Sequence, residues 1–162
     1  MVADERPVAA KLCFACGEEN PRGLHMHFSV EGDRATAEFT IPDYLQGFPG
    51  QAHGGAVATM LDEAMGWAVY GQGIWAMTAK FTVRFRNIVP LGESLTVTGW
   101  VTRDRGRFIE LQSELRTAEG ALLAEAVGMF ARIRGKEAEA LRRNYEAATL
   151  AETRDAEAAT SG

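Results

Sequence analysis

Two segments near the start of the chain alternate strictly between apolar and polar residues. Successive side chains of a β-strand point to opposite faces, so this alternation predicts half-buried strands. Residues 24–30 and 34–41 both follow it, and Glu31-Gly32-Asp33 between them is a turn signal. The two segments are therefore predicted to form a hairpin, with these residues on its apolar faces: Leu24, Met26, Phe28, Val30, Ala35, Ala37, Phe39 and Ile41.

A loop and a long apolar helix are predicted next. Glycine and proline interrupt any regular pattern between residues 42 and 51. From His53 to Tyr70 the composition favours a helix, which Gly71 and Gly73 end. Because this helix shows no clear polar face, we expect it to be buried on all sides, with a sheet wrapped around it.

Four further strands are predicted after the helix. In the first, residues 78–86, one face carries Ala79, Phe81, Val83 and Phe85, and the other carries Thr78, Lys80, Thr82, Arg84 and Arg86. The next two have one face formed by Leu95, Val97, Gly99 and Val101, and by Ile109, Leu111, Ser113 and Leu115. Residues 121–133 are apolar on both faces, which favours a central strand. Short turns predict antiparallel pairing, so the whole pattern predicts an α+β fold with a curved antiparallel sheet around one helix.

Length and composition are those of one globular domain. The chain has 162 residues, of which 46% are hydrophobic and 24% are charged. A net charge of −5 argues against a general nucleic-acid-binding role. No apolar stretch is long enough to span a membrane and the start does not resemble a signal peptide, so we expect a cytoplasmic protein. We divide the chain into an N-terminal segment (1–23), a main domain (24–134) and a C-terminal helix with a frayed tail (135–162).

Cys13 and Cys16 form a Cys-x-x-Cys arrangement, which occurs in zinc sites and in redox pairs. A structural zinc site needs about four ligands, and the nearest additional candidates are His25 and His27 on the polar face of the first strand. A tight turn with small buried thiols, followed by Asn20-Pro21-Arg22-Gly23, explains the motif without a metal. We therefore expect neither a metal nor a cofactor.

The predicted helix carries two charges, on the adjacent residues Asp62 and Glu63. Burying a carboxylate in an apolar segment is costly, because desolvation disfavours its charged form. The helix begins at His53-Gly54-Gly55, and a helix N-terminus offers unpaired N–H groups that stabilise negative charge. One element thus combines an acid–base carboxylate with a site for an oxyanion, which is most of what acyl transfer requires.

The residues around this helix resemble a known family. The segments Gly47-Phe48-Pro49-Gly50-Gln51-Ala52-His53-Gly54-Gly55-Ala56 and Leu61-Asp62-Glu63-Ala64 are similar to the hotdog-fold acyl-CoA thioesterases, of the PaaI type and the 4-hydroxybenzoyl-CoA-thioesterase-like superfamily. The most specific part is His-Gly-Gly with a carboxylate nine residues after the histidine. The resemblance covers roughly residues 13–134 and implies a hotdog fold, in which the sheet wraps around a central helix.

The resemblance also implies roles for individual residues. Asp62 matches the family's carboxylate, which acts as general base toward water or as nucleophile on the thioester carbonyl. Gly54, just after His53, matches the residue whose N–H polarises that carbonyl, and Thr78 matches a hydroxyl that positions the water in some members. In such enzymes the carboxylate and the N–H come from opposite subunits, which implies a homodimer; a homotetramer is also compatible with the fold.

Several of these residues also have a purely structural interpretation. His53 is either a helix cap or a direct catalytic contact, and Thr78 is either an ordinary strand residue or part of the site. Some family members carry Asn or Gln where this chain has Gly47, and Gln46 and Gln51 are the nearest substitutes. Around these catalytic candidates we place a substrate-binding set of Gly55, Gln51, Glu63, Arg103, Arg105 and Arg107.

Glu63 and the three arginines differ from Asp62 in the roles we expect for them. Glu63 lies about 100° around the helix from Asp62, so we assign the catalytic role to Asp62. The arginines form either an ordinary solvated turn or a patch for the phosphates of coenzyme A, because guanidinium groups bind phosphate through paired hydrogen bonds.

The sequence therefore predicts an acyl-CoA thioesterase that releases a free acid and coenzyme A from an acyl or aryl-acyl thioester. One alternative is a hotdog module that binds acyl-CoA without catalysis, although the carboxylate Asp62 argues against it. Another is a hotdog hydratase or dehydratase, which needs a histidine and a carboxylate that converge on the substrate. Candidates for the walls of the acyl pocket are Phe48, Met65, Trp67 and Trp75.

Overall fold

The computed structural model describes residues 12–143, which separate into two compact units. The larger unit, Met26–Ile133, holds six strands and one α-helix. Their bounds are β1 Ser29–Glu31, β2 Arg34–Thr40, α1 Gly54–Tyr70, β3 Ala76–Phe85, β4 Ser94–Asp104, β5 Phe108–Thr117 and β6 Leu122–Arg132. This is the predicted order, with a short 3-10 helix at Asp43–Leu45 added inside the predicted loop.

The six strands form one antiparallel sheet in the order β1-β2-β4-β5-β6-β3. β1 and β2 pair as the predicted hairpin, with Val30 opposite Ala35. β1 is shorter than predicted, because within residues 24–30 only 29 and 30 pair and His25 adopts a φ of 53°, outside the β region. β6 lies between β5 and β3, which confirms that it is internal.

The core lies between one face of the sheet and one side of α1. The strand positions predicted to be apolar supply many of its buried residues, among them Ala35, Ala37, Leu95, Val97, Ile109, Leu111 and Leu115. The helix contributes residues spaced by three and four positions: Val57, Met60, Leu61, Ala64, Met65, Ala68 and Val69. Gly99 of β4 allows this close packing, because a Cβ there would overlap the carbonyl group of Ala64.

The prediction that α1 is buried on all sides is wrong. One side of the helix is only partly covered, and we call it the open face of α1. It consists of four half-buried residues, Asp62, Glu63, Gly66 and Trp67, and of the exposed Tyr70. The sequence pattern gave the wrong prediction because Gly66 and Trp67 lie beside Asp62 and Glu63 on this face. Since glycine and tryptophan were counted as apolar, the face was not recognised as polar.

The predicted face of Thr78 is also wrong, because β3 contains a β-bulge at Ala79. Thr78 pairs with Phe130 whereas Lys80 pairs with Met129, so Ala79 has no residue opposite it. Phe130 is buried on the helix side of the sheet, and Thr78 therefore faces α1. The extra residue shifts the alternation by one position, which places Thr78 on the same face as Phe81, Val83 and Phe85.

The smaller unit contains residues 12–25 and 134–143 of the described range. The turn predicted at the cysteines is present, because the N–H of Gly17 donates to the carbonyl oxygen of Cys13 at 2.9 Å. Cys16 is buried. Residues 135–143 are helical as predicted. Tyr145 and Ala148 of the predicted apolar stripe lie outside the described residues.

Among residues 12–143, no helix has the length and apolar character needed to cross a bilayer.

Candidate active site

The N-terminus of α1 is capped by the side chain of the residue before it. The ring Nδ1 of His53 accepts a hydrogen bond from the N–H of Gly55 at 3.0 Å. The carbonyl oxygen of His53 accepts from the N–H groups of Ala56 at 2.9 Å and Val57 at 3.2 Å. Within residues 12–143 the N–H of Gly54 has no acceptor, and Gly54 is exposed. This group is therefore available to stabilise negative charge on a bound molecule.

Gly54 lies in the wall of an open groove of about 760 Å³. The loop before α1 supplies Gln51 and Ala52, and the segment that leaves β3 supplies most of the rest, with lining residues Gln51, Ala52, Gly54, Val57, Phe85, Arg86, Asn87, Ile88 and Val89. Phe85 and Ile88 are 52% and 64% exposed, so the groove presents apolar side chains to the solvent.

The two glutamines of the loop before α1, Gln46 and Gln51, have different surroundings. The side-chain carbonyl of Gln46 accepts a hydrogen bond from the N–H of Gly50 at 2.9 Å, which closes the loop. Gln51 is half-buried and lines the groove beside Gly54. Gln51 is thus the better placed of the two to contact a bound molecule.

Asp62 and Thr78, far apart in sequence, are in direct contact. The hydroxyl of Thr78 donates to Oδ1 of Asp62 at 2.7 Å. Burial raises the pKa of Asp62 above its ordinary value, and the hydrogen bond from Thr78 opposes part of that rise. The pair forms because the bulge in β3 turns Thr78 toward α1, where Asp62 lies on the open face.

Glu63 and Met65 are oriented differently from Asp62. The carboxylate of Glu63 accepts a hydrogen bond from the indole N–H of Trp67, one helical turn further on, at 3.2 Å. Met65 was a candidate for the acyl pocket, but it is completely buried on the sheet side of α1. The carboxylate that meets the Thr78 hydroxyl is therefore that of Asp62.

A single copy of the chain does not bring Asp62 and Gly54 together. Eight positions along α1 separate them, a distance of roughly 12 Å at the rise of an α-helix. A carboxylate and an oxyanion donor acting on one carbonyl group must lie within hydrogen-bonding reach of the same few atoms. Within one copy, Asp62 and the N–H of Gly54 are therefore too far apart to act on the same carbonyl group.

The three arginines lie in and beside the β4–β5 turn, and all are exposed. Nε of Arg105 donates to Glu110 at 2.5 Å, and the guanidinium of Arg107 lies 5.3 Å from the centre of the Phe108 ring. This turn is at the end of the sheet where β3 begins, because the N–H of Arg132, which pairs with Ala76, donates to the carbonyl of Arg107.

Sequence reasoning missed the groove residues Phe85, Asn87 and Ile88. A signal was present in the apolar Ile88 within a segment otherwise typical of a turn. Only the fold shows that this segment lies beside the start of α1, where the N–H of Ala52 donates to the carbonyl of Val89 at 2.9 Å.

Comparisons with known proteins agree with this architecture. Residues 49–124 match the family described as the thioesterase superfamily. Over 136 residues the chain is 34% identical to acyl-coenzyme A thioesterase THEM4 of Bos taurus, an alignment that covers 82% of this chain and 56% of the relative. The chain thus spans about half the length of the curated relatives it matches.

Solved structures show the same fold. A thioesterase superfamily protein of known crystal structure is 32% identical, with a TM-score of 0.68 over 71% of this chain and 60% of that one. The Escherichia coli PaaI protein from the phenylacetic acid degradation operon is 23% identical, with a TM-score of 0.65 over 69% and 82% of the two chains. Residues 49–124 are thus similar to the thioesterase superfamily, and the chain, with a helix set against a six-stranded antiparallel sheet, has the hotdog fold.

Proposed function

We propose that this protein is an acyl-CoA thioesterase that acts as a homodimer, with Asp62 from one copy and the N–H of Gly54 from the other forming each active site. The observation that carries the proposal is the half-buried Asp62, held by Thr78 and with its pKa raised. The names of the curated relatives support acyl-CoA as the substrate class.

The proposed reaction needs only water and the thioester. Asp62 removes a proton from a water molecule as the water oxygen bonds to the thioester carbonyl carbon, and the resulting oxyanion accepts a hydrogen bond from the N–H of Gly54. The intermediate then collapses, the carbon–sulfur bond breaks, and the coenzyme A thiolate takes the proton held by Asp62. Because Thr78 occupies Oδ1, the second oxygen of Asp62 is the one that faces the water.

A direct attack by Asp62 on the carbonyl is the alternative route to the same products. It would expel the thiolate first and leave an acyl–aspartyl anhydride that water then hydrolyses. Both routes need the carboxylate ionised, and both place the oxyanion at the same N–H donor.

The edge strand β3 supports the dimer. Within residues 12–143, β3 pairs only with β6, and an edge strand with unpaired N–H and C=O groups favours pairing with another strand. If β3 pairs with a second copy about a two-fold axis at Thr82, and Ala79 remains the extra residue of the bulge, Thr78 of one copy lies opposite Phe85 of the other. Both side chains lie on the helix side of the sheet.

The same pairing would complete the active site. A Cβ on Gly54 would lie 3.4 Å from the ring of Phe85, so these two residues are neighbours within one copy. A two-fold pairing that sets Thr78 beside the second copy's Phe85 therefore also brings Asp62 toward the second copy's Gly54. In this arrangement Gln51 lines the site beside Gly54, His53 holds the helix start in place, and the arginines at 103, 105 and 107 are candidates for the coenzyme A phosphates.

The test is hydrolysis of a panel of short, medium, long-chain and aryl acyl-CoAs by wild type and by Asp62→Asn. We expect wild type to release coenzyme A from at least one class and Asp62→Asn to be slower by roughly a hundred- to ten-thousandfold. The variant should remain folded and be somewhat more stable near neutral pH, because the raised pKa of Asp62 means that the folded state destabilises its charge. The stability gain should disappear at acidic pH, where wild-type Asp62 is protonated.

Three outcomes would contradict the proposal. Wild-type rates in Asp62→Asn would remove Asp62 from the mechanism. Tight binding of acyl-CoA without turnover by the wild type would indicate a binding module. Hydration of an enoyl-CoA without thioester cleavage would indicate a hydratase. A single turnover in ¹⁸O-labelled water then tests the anhydride route. Label found in Asp62 would show that water attacked the aspartyl carbonyl of the anhydride, because general-base attack places the label only in the product acid.

A further inference from the structure

We infer that Gly66 is a specificity-determining residue of the proposed thioesterase, because it leaves space along the open face of α1 for an apolar acyl group to extend away from Asp62. The inference rests on the proposed function and names the class of acyl group that the site accepts. That class is a medium-length alkyl or an aryl group.

Gly66 lies next to the carboxylate on the same helix face. It follows Asp62 by four positions, so the two lie one above the other with roughly 6 Å between them along the axis. Apart from Met65, Trp67 and the backbone of the adjacent turns of α1, no atom of the described residues lies within 4 Å of the place where a Cβ of Gly66 would be. Glycine destabilises a helix interior more than any residue except proline, so Gly66 does not contribute to the stability of α1.

An aromatic cluster lies at the far end of this space. Tyr70, one turn beyond Gly66, contacts Trp67 edge to face with ring centres 5.3 Å apart, and contacts Trp75 in the same way at 6.0 Å. The stacked pair Phe28 and Trp67, at 5.8 Å, extends the cluster. From Asp62 to Tyr70 the helix rises roughly 12 Å. The reactive end of this space is therefore polar and its far end is aromatic.

The side of the space away from α1 is open in a single copy. The proposed dimer provides a wall for it, because the same two-fold pairing that brings Gly54 of the second copy to Asp62 also brings the apolar groove residues that accompany Gly54. Phe85 and Ile88 of that groove are exposed in one copy, and covering them with an acyl group would remove apolar surface from water.

The experiment compares Gly66→Leu and Gly66→Ala with wild type on acetyl-, octanoyl- and benzoyl-CoA. A leucine fills the space beside Asp62, so we expect kcat/KM for octanoyl- and benzoyl-CoA to fall by roughly ten- to a hundredfold relative to acetyl-CoA. Gly66→Ala should lower kcat/KM for octanoyl- and benzoyl-CoA relative to acetyl-CoA in the same way, but by a smaller factor. Both variants should have a Tm at or above that of wild type, because alanine and leucine favour a helix more than glycine does. A measured Tm at or above that of wild type would exclude unfolding as the cause of a loss of activity.

Binding gives a second readout that does not depend on turnover. On the Asp62→Asn background, octanoyl-CoA should change the tryptophan fluorescence, whereas coenzyme A alone should not. Trp75→Phe should remove most of that change and Gly66→Leu should weaken the binding. Trp100, which lies under Arg34 on the other side of the sheet, should not contribute.

The outcomes separate the inference from the proposed function. If wild type binds octanoyl-CoA with this fluorescence change but hydrolyses no thioester, the proposed function fails and the pocket stands. If Gly66→Leu binds and hydrolyses octanoyl-CoA as wild type does, or loses all three substrates equally, the inference about Gly66 is overturned. It is also overturned if wild type binds neither octanoyl- nor benzoyl-CoA.

Discussion

At the scale of single residues, the candidate site consists of two groups on α1, the Asp62 carboxylate and the Gly54 N–H, and neighbouring side chains affect both. Asp62 is kept partly out of water, which raises its pKa, and the Thr78 hydroxyl limits that rise. The ring of His53 accepts a hydrogen bond from the N–H of Gly55, and the N–H of Gly54 stays available. The cap therefore orients the first turn of α1 without occupying the N–H of Gly54.

The role of the Gly54 N–H can be tested by removing that atom alone. Gly54→Pro lacks the donor, and proline is well tolerated at the first position of a helix. We expect a fall in kcat on the order of a hundredfold or more with an unchanged far-ultraviolet circular dichroism spectrum. Gly54→Ala keeps the N–H and is the matched control, which should remain close to wild type. Equal losses in both variants would show that space, and not the donor, matters at this position.

The Thr78 hydroxyl should set the pH dependence of the reaction. Asp62 must be ionised to act, so kcat/KM falls as the pH drops through its pKa in the free enzyme. Thr78→Val removes the hydrogen bond that lowers this pKa, and the acidic limb of the profile should move to higher pH. Thr82→Val, on the opposite face of the same strand, should leave the limb in place. A shift toward lower pH in Thr78→Val would contradict the assignment of Asp62 as the base.

At the scale of secondary-structure elements, the position of Asp62 depends on how closely α1 rests on the sheet. The buried side of the helix packs over β4, where Gly99 lets the backbone of Ala64 and Met65 approach directly. A second glycine, Gly128 of β6, leaves room for the sulfur of Met65. Since Asp62 precedes these contacts by less than one turn, they also fix its height above Thr78.

Gly99→Ala should therefore destabilise the protein. The new Cβ would overlap main-chain atoms of α1, which cannot move without displacing the helix, so we expect a loss of about 1–3 kcal/mol in the free energy of unfolding. Urea titration measures this loss. Gly66→Ala, at an open position of the helix, is the control and should be neutral or stabilising. No loss in Gly99→Ala would mean that the helix is not held against β4 at this point.

At the scale of the whole molecule, the proposed dimer would explain why an edge strand and an open groove are exposed in one copy. β3 carries the exposed Met77 and Phe85, and the groove beside it carries Ile88. Exposed apolar groups at an unpaired strand favour association, and two-fold pairing through β3 satisfies both the strand and the groove. If the proposed dimer forms, catalysis depends on assembly, because each site would draw its carboxylate and its oxyanion donor from different copies.

Mixing two inactive variants tests this arrangement. Asp62→Ala and Gly54→Pro should each be inactive as homodimers, but a mixed dimer contains one site with an intact carboxylate and an intact N–H. Random exchange makes half of the dimers mixed, each with one active site of two, so up to roughly a quarter of wild-type activity should return. No recovery after verified subunit exchange would place both groups in the same copy or exclude one of them.

The sequence by itself determined the order of the elements and the faces of β2, β4 and β5, and it predicted Asp62 and Gly54 as the chemical groups. These follow from local rules, because side-chain alternation, helix ends and a carboxylate in an apolar segment are all properties of neighbouring residues. Only the tertiary structure decided that Thr78 meets Asp62, because a bulge at Ala79 in the pairing of β3 with β6 sets its direction. The open face of α1 and the groove beside Gly54 were decided in the same way, since burial depends on which distant segments cover a residue and no local pattern records them.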